Sequence, residues 1–189
     1  LLYMKYKIDD SHSSDSLKVS LNQDEVFKSR AKAVSTYGGD VVRETQTTRG
    51  IFKALDSREN FPITKINVER GSGVVTIVPP YLGEIMSIDI DEGMKLQTLA
   101  FLGATSDLDV DLKVGDIYDN DSLGSLNINK NGNGENTLFI SGYGGIEKID
   151  LSDNQQSNVK EDYLIGFDNT VSYKKIKKSN LKSKALGAG

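Results

Sequence analysis

The sequence contains no cysteine and no tryptophan, and it has one histidine and three prolines in 189 residues. Without cysteine there can be no disulfide framework, no thiol nucleophile and no Cys-ligated zinc or iron–sulfur cluster. The single histidine, His12, excludes a site with several histidine ligands. No apolar run approaches the roughly 18 residues of a membrane-spanning helix, and the first residues lack the apolar region of a signal peptide. We therefore expect a cytoplasmic protein with few routes to catalysis.

A large excess of one charge sign is also absent. The chain carries 23 Lys and Arg against 27 Asp and Glu, for a net charge of -4. A nucleic-acid binder normally presents a basic face, so nucleic acid is not a favoured partner. The length fits one domain, and a hydrophobic share of 37% still permits a packed core. We expect a single domain over residues 1–189, with residues 1–15 as a flexible lead-in.

The apolar residues recur with the period of a β-strand and not with that of a helix. Leu17, Val19 and Leu21 alternate with polar neighbours, which is typical of a strand with one buried face. The same alternation recurs in residues 66–68, 88–90 and 108–112, and Gly- and Pro-rich turns separate these stretches. The pattern predicts an all-β chain.

Two stretches of the chain resemble each other at a spacing of about 60 residues, which is typical of repeat architectures. Residues 66–78 match 126–140, and residues 83–90 match 144–151. A weaker partial copy begins near Val19. We therefore expect tandem β-repeat units, about three in number, that form a sandwich or barrel-like fold. A further copy of the hairpin at 126–140 would fall near residue 186, so we expect that the C-terminal hairpin of the natural protein is missing from this chain.

Several motifs resemble a family of largely uncharacterised bacterial and archaeal proteins related to the mitochondrial biogenesis protein linked to altered inheritance of mitochondria. The resemblance is carried by Gly50-Ile51-Phe52-Lys53, by Asn60-Phe61, by the apolar strand and turn of residues 73–85 (GVVTIVPPYLGEI), and by residues 162–168 (DYLIGFD). The chain departs from the family pattern at three points, one of which is the expected absence of the hairpin that would follow Gly189. Only one glycine of the usual pair is present, Gly50, and Pro62 stands where an aromatic residue is common.

The resemblance implies a repeated β fold with units similar to those of the tryptophan attenuation protein, often assembled as an oligomer. It implies no enzyme activity, no cofactor and no catalytic residue. We therefore expect a homo-oligomer, with a trimer as one arrangement.

One segment near the N-terminus places Ser, His and Asp together, at Asp9–Asp15 around His12. A catalytic triad needs its three groups fixed by a rigid scaffold. Seven polar residues near a terminus are more typical of a mobile lead-in. We expect no catalysis from this segment.

The densest acidic stretch offers carboxylate oxygens that calcium could use. Its members are Asp107, Asp109, Asp111, Asp116, Asp119 and Asp121. An EF-hand loop starting at Asp107 would need glycine at the sixth position and glutamate at the twelfth, where this chain has Leu112 and Tyr118. The alternation with Leu108 and Val110 favours an edge strand whose acidic side faces water. Cation binding within residues 107–121 stays open.

Glycine-rich turns and a basic C-terminal run complete the candidates. Gly71-Ser72-Gly73 is followed by β-branched residues and not by a helix, so it predicts a hairpin turn and no phosphate site. The run from Lys174 to Lys184 predicts a charged strand in which Val171 and Tyr173 point inward and Ile176 follows a β-bulge. Contact with anionic lipid is the alternative for these lysines.

The sequence as a whole favours a non-enzymatic β-repeat protein that acts as an oligomeric scaffold or binds a protein partner. The alternative is a small-ligand or nucleic-acid binding module at a subunit cleft, which rests on analogy of fold. A metal-dependent enzyme that uses the carboxylates of residues 107–121 is the least favoured function.

Overall fold

The structure is a computed structural model that describes residues 4–10, 13–46, 61–113, 125–174 and 176. Within these residues it contains twelve strands and three single-turn 3-10 helices. The strands are β1 (Lys5–Asp9), β2 (Ser16–Asn22), β3 (Val26–Arg30), β4 (Val34–Gln46), β5 (Ile63–Ile77), β6 (Ile85–Asp89), β7 (Met94–Gln97), β8 (Phe101–Thr105), β9 (Leu108–Lys113), β10 (Ser125–Lys130), β11 (Thr137–Ser141) and β12 (Gly166–Asp168). The predicted all-β class is confirmed. No helix among the described residues is long and apolar enough to cross a membrane.

The first sheet has eight strands, in the order β1-β2-β5-β3-β8-β11-β6, with β4 paired to β5. It curls into a nearly closed, barrel-like shape. One sign of this curvature is that Tyr6 of β1 meets Phe139 of β11 edge to face, with ring centroids 4.8 Å apart. Edge-to-face contact is a favoured geometry for aromatic pairs.

Strand β5 lies at the centre of this sheet because it pairs along both of its edges. One edge pairs with β4 over residues 63–68 and 73–77, with a register shift between Gly39 and Val41. The other edge is shared, since β2 pairs with its second half and β3 with its first half. Between these two pairings the chain turns at Asp24, where φ is +70°, and the N–H of Gln23 donates to the carbonyl of Gly71 at 3.2 Å.

The predicted hairpin turn at Gly71-Ser72-Gly73 is therefore wrong. Strand β5 runs through these residues without reversing. Gly71 adopts a φ of +69°, which bends the strand locally opposite the β2–β3 turn. Glycine is favoured there because it takes positive φ at little steric cost.

The second sheet has four strands in the order β12-β7-β10-β9. All of its pairings are antiparallel. It is joined to the first sheet by short connections, such as the 3-10 turn Thr98–Ala100 between β7 and β8. It packs across the outer side of β8 and β11, so these two strands are covered on both faces.

Two hydrophobic cores follow from this layering. The first fills the inside of the barrel-like sheet and contains Leu17, Phe27 and Phe139. The second lies between the sheets and contains Leu126 and Ile128. All five side chains are fully buried. Because β11 contributes Phe139 to the first core and its two neighbours to the second, one strand connects the two cores.

Two other expectations differ from the structure. The stretch 1–15 contains β1, which is ordered because it pairs with β2 and because Met4 is buried in the first core. Near the C-terminus, the described residues 171–174 and 176 form no strand. Tyr173 and Ile176 are exposed, so the predicted inward alternation is wrong; Tyr173 packs instead on Phe167, with ring centroids 5.1 Å apart.

Candidate interaction surface

Residues 16–77 (segment I) and residues 85–141 (segment II) share one scheme of strand pairing. In segment I, β2 pairs with the second half of β5 and β3 with its first half, while β4 covers the other edge. In segment II, β6 pairs with β11 and β7 with β10, while β8 and β9 cover the other edges. The difference is that β10 and β11 are separate strands in two sheets, whereas β5 is continuous.

The residue directly before each of these two segments is acidic, and its carboxylate accepts a hydrogen bond from a backbone N–H at the beginning of the next segment. The Asp15 carboxylate accepts a hydrogen bond from the N–H of Ile85 at 2.8 Å. The Glu84 carboxylate accepts one from the N–H of Ile146, also at 2.8 Å. The backbone N–H groups of the same two acids donate to the carbonyls of Gly83 (3.0 Å) and Gly144 (2.9 Å). These charge-assisted bonds tie the starts of successive segments together.

The chain after Gly144 (segment III, residues 144–176) departs from this scheme. Residues 146–151 form no strand, and Ile149 and Leu151 are 50% and 37% exposed. The aligned residues of segment II, Ile88 and Ile90, are half-buried and buried, and Val19 and Leu21 of segment I are fully covered. Among the described residues no strand pairs with 146–151, so the side chains of Ile149 and Leu151 meet water, whereas Ile146 packs against the second core.

A cluster of large exposed side chains lies directly before this stretch. Tyr81, Leu82 and Tyr143 are 51%, 69% and 86% exposed. The rings of Tyr81 and Tyr143 meet edge to face, with centroids 5.9 Å apart. The backbone beneath them is fixed, because Gly83 and Gly144 form a parallel β-bridge. Exposed tyrosines on a fixed backbone are typical of surfaces that bind other proteins. These three residues and residues 146–151 together are named the interaction surface.

Two half-buried cations on β3 differ in their environments. Lys28 donates to the carbonyls of Ser106 (3.0 Å) and Leu108 (2.6 Å) and lies 3.7 Å from the Asp109 carboxylate. Burial lowers the pKa of Lys28, and Asp109 opposes that effect. Lys28 is therefore a structural cation that joins β3 to the β8–β9 turn.

Arg30 lies two residues further along the same strand. Its guanidinium donates to the Leu99 carbonyl at 3.3 Å and lies over the ring of Phe61, 5.5 Å from the centroid. Burial lowers the pKa of Arg30, and the nearby Tyr81 phenol opposes that effect. No carboxylate among the described residues pairs with it.

The predicted acidic edge strand agrees with the structure over the described part of the acidic stretch. Strand β9 pairs with β10 alone among the described strands, Leu108 is fully buried and Asp111 is exposed. Asp107 accepts a hydrogen bond from the N–H of Gly134 at 2.6 Å, and Asp109 accepts one from the Asn131 amide at 2.7 Å. These carboxylates hold the β10–β11 loop.

Within the described ranges no group of three acidic or histidine side chains is placed to hold a metal ion. Several predicted candidates lie outside those ranges. They are His12, Asp116, Asp119, Asp121, and the lysines at 175, 177, 178, 182 and 184. Lys174 is described and exposed.

Two features of the surface were not predicted from the sequence. Arg30 follows the alternation of an ordinary strand, and its contacts with Leu99 and Phe61 join residues that are distant in sequence. Tyr81 carried a weak signal, because an aromatic residue directly after Pro79-Pro80 stands in a turn and is often exposed.

The fold is that of an all-β protein with a barrel-like sheet and a second sheet packed against it. A protein of known structure with a similar fold is SPYM3_0169 from Streptococcus pyogenes, one of seven matching chains of solved structures. The likeness has a TM-score of 0.60 at 20% identity, and it covers 78% of this chain and 68% of that chain. A search of curated proteins finds no match.

The family model described as Mitochondrial biogenesis AIM24 matches residues 6–189. The chain therefore belongs to the AIM24 family, and the resemblance found in the sequence is confirmed.

Proposed function

We propose that this protein is a non-enzymatic, partner-binding scaffold built from repeated β units, and that its interaction surface binds a second copy of the chain. One observation carries the proposal: residues 147–151 are exposed and, among the described residues, no strand pairs with 146–151, whereas the aligned stretches of segments I and II are paired strands. The shared pairing scheme of these two segments supports a third unit of the same kind. A third unit without a partner strand offers open backbone groups to another chain.

Addition of a strand from a neighbouring molecule is the expected mode of binding. In that mode main-chain hydrogen bonds supply affinity, and alternate side chains enter apolar pockets. Ile149 and Leu151 have the spacing of alternate side chains on one face of a strand. Tyr143 lies at the start of the stretch, and aromatic side chains often anchor such interfaces. A closed ring of copies, such as a trimer, would cover these residues in every subunit.

The test is the molar mass in solution, measured by sedimentation equilibrium over a wide range of concentration. We expect the unaltered chain to form a defined oligomer. Ile149→Glu should weaken the assembly about tenfold or more, because an unpaired carboxylate would be buried in the interface. Val159→Glu is the matched control, since Val159 is also in segment III and 44% exposed but lies outside the interaction surface. It should leave the mass unchanged.

Two results would contradict the proposal. One is a unaltered chain that stays monomeric at every concentration. The other is an oligomer that Ile149→Glu and Val159→Glu affect equally. Circular dichroism of both variants would establish that each is folded.

The alternative of a nucleic-acid module has less support, because the net charge of -4 opposes contact with phosphates. The expected cytoplasmic location stays a prediction.

A further inference from the structure

The guanidinium of Arg30 is held in place but incompletely satisfied. Arginine has five N–H donors in a planar fork, and one of them donates to the Leu99 carbonyl at 3.3 Å. That acceptor is neutral, and the bond is longer than is usual for a charged donor. The side chain is half-buried, so water replaces the missing acceptors only in part. Charges removed from water are normally paired, yet no carboxylate among the described residues pairs with Arg30.

Lys28, on the same strand, provides a comparison, because it is a half-buried cation with a structural role. It has three oxygen partners, two carbonyls and one carboxylate. Arg30 points from the same face of β3, yet no described carboxylate lies within ion-pair distance of it. The difference therefore reflects the particular surroundings of Arg30 and not the position of the strand.

Arg30 is half-buried beside an aromatic ring that is itself buried. Phe61 is 7% exposed, and it is held from behind by Phe101, with ring centroids 5.7 Å apart. The guanidinium lies over the Phe61 ring and is fixed further by the Leu99 carbonyl. Tyr81 is close enough for its phenol to act electrostatically on the guanidinium, and this side chain is half exposed. A ligand in this place would meet a cation and aromatic rings together.

We propose that Arg30, Phe61 and Tyr81 form a binding site for a carboxylate attached to an apolar body. The planar carboxylate matches the free edge of the guanidinium and can accept two parallel hydrogen bonds. The apolar body would pack on the exposed face of Tyr81. The carboxylate can come from a free organic acid or from an acidic side chain flanked by apolar residues in another protein. The site shares Tyr81 with the interaction surface, but it depends on Arg30 and not on residues 146–151, so Arg30→Gln and Ile149→Glu test the two proposals separately.

The test follows the Nε–Hε resonance of Arg30 in proton–nitrogen spectra of the whole chain, with benzoate as the probe. We expect a saturable shift with benzoate and none with benzamide, which has the ring but no charge. Acetate, which has the charge but no ring, should bind more weakly than benzoate. A second titration with the peptide acetyl-Leu-Glu-Leu-amide distinguishes the two sources: tighter binding of the peptide assigns the site to a protein side chain, and tighter binding of benzoate assigns it to a free acid.

Variants connect the binding to the proposed residues. Arg30→Gln should weaken benzoate binding about tenfold or more, followed on tyrosine ring resonances, because a charged hydrogen-bonding group is lost. Arg30→Lys keeps the positive charge but loses the planar pair of donors, so its affinity for benzoate should lie between those of the unaltered chain and Arg30→Gln. Arg43→Gln is the matched control, since Arg43 is an exposed arginine that stacks on Tyr37 at 4.2 Å away from the site. Linear shifts without saturation, equal shifts with benzamide, or unchanged binding in Arg30→Gln would each overturn the proposal.

Discussion

Asp9 shows how a single side chain on β1 makes this fold depend on pH. Its carboxylate pairs with Lys18 at 2.8 Å and with Lys7. Hydrogen bonds from Lys18 and then Lys7 lower the pKa of Asp9 from 3.8 to about 2. A carboxyl whose pKa is lower in the folded state stabilises the fold at pH values above its unfolded pKa, and this contribution is lost as the pH falls toward 2.

We predict that Lys18→Met raises the pKa of Asp9 toward its ordinary value, because the largest cause of the shift is removed. Carbon-detected NMR of the side-chain carboxyl would measure it. The variant should also lose less stability than the unaltered chain between pH 4 and pH 2 (about the interval between the two pKa values). Lys5→Met is the control, since Lys5 is an exposed lysine on β1, whereas the ion pairs of Asp9 are with Lys7 and Lys18. An Asp9 pKa that stays near 2 in Lys18→Met would contradict the prediction.

The burial of individual side chains could be predicted from the sequence where a strand has one face in the core and the other in water. Leu17, Val19 and Leu21 are buried as the alternation indicates. Tyr173 was predicted to point inward and is exposed, because no described strand pairs with its segment. The environment of Arg30 could not be predicted, since it depends on residues that approach only through the tertiary fold.

The strands β8 and β11 illustrate what burial on both faces demands of an element. All five residues of β8, Phe101–Thr105, are buried. In such a strand the alternation of apolar and polar residues is lost. Close approach to β3 adds a requirement for a small residue at Gly103. A methyl group there would stand 2.8 Å from Cε1 of Phe27 and 3.0 Å from the Lys28 carbonyl oxygen.

We predict that Gly103→Ala lowers the free energy of unfolding by about 1–3 kcal/mol, because overpacking forces Phe27 or the backbone of β3 to move. Gly38→Ala is the matched control: it lies in β4, a Cβ there meets nothing within 4 Å, and the change should stay within about 0.5 kcal/mol. Urea unfolding of the two variants measures both values. If Gly103→Ala lowers the free energy of unfolding no more than Gly38→Ala does, the contact between β3 and β8 is loose enough to accept a methyl group, and the prediction is wrong.

Element existence was predictable, and element length was not. The apolar runs at 66–68 and 74–78 were recognised as β structure, but they belong to one strand of fifteen residues. The glycines between them look like a turn in isolation. Strand β4 pairs with β5 on both sides of residues 69–72, and these long-range pairings keep the two halves in one strand where local residues favour a reversal.

At the scale of the whole molecule, the two cores are separated by a single layer of strands. Leu17 lies in the first core and Leu126 in the second, and both are fully buried. Because β8 and β11 form a wall of each core, loss of either core exposes the strands that the other needs. The two cores are therefore expected to unfold together.

We predict a single cooperative unfolding transition for the unaltered chain and for both Leu17→Ala and Leu126→Ala. Each substitution should cost about 2–5 kcal/mol, because it leaves a cavity in a packed core. Coincidence of far-UV circular dichroism and tyrosine fluorescence across the denaturant range tests cooperativity. Separate transitions, with each variant moving only one of them, would show that the cores are independent.

The all-β class and the family were accessible from the sequence, because both depend on patterns that are local in the chain. The division of the strands between two sheets was not. Strands β10 and β11 are neighbours in sequence, yet one joins the second sheet and the other the first. Only the packing of distant residues around β8 and β11 decides this.

The central place of β5 also determines the order in which the chain can acquire its structure. Strand β2 can pair with β5 only after β3 and β4 have been synthesised. In the same way, Ser29 of β3 can pair with Gly103 of β8 only after residue 103 has been added. Roughly seventy residues separate Ser29 from Gly103, and their synthesis takes several seconds at about 5–20 residues per second. During this interval the edge of β3 that pairs with β8 has no partner strand, although its other edge can already pair with β5. A fold with such distant pairings folds slowly, and its newly made strands need protection from one another until β8 emerges.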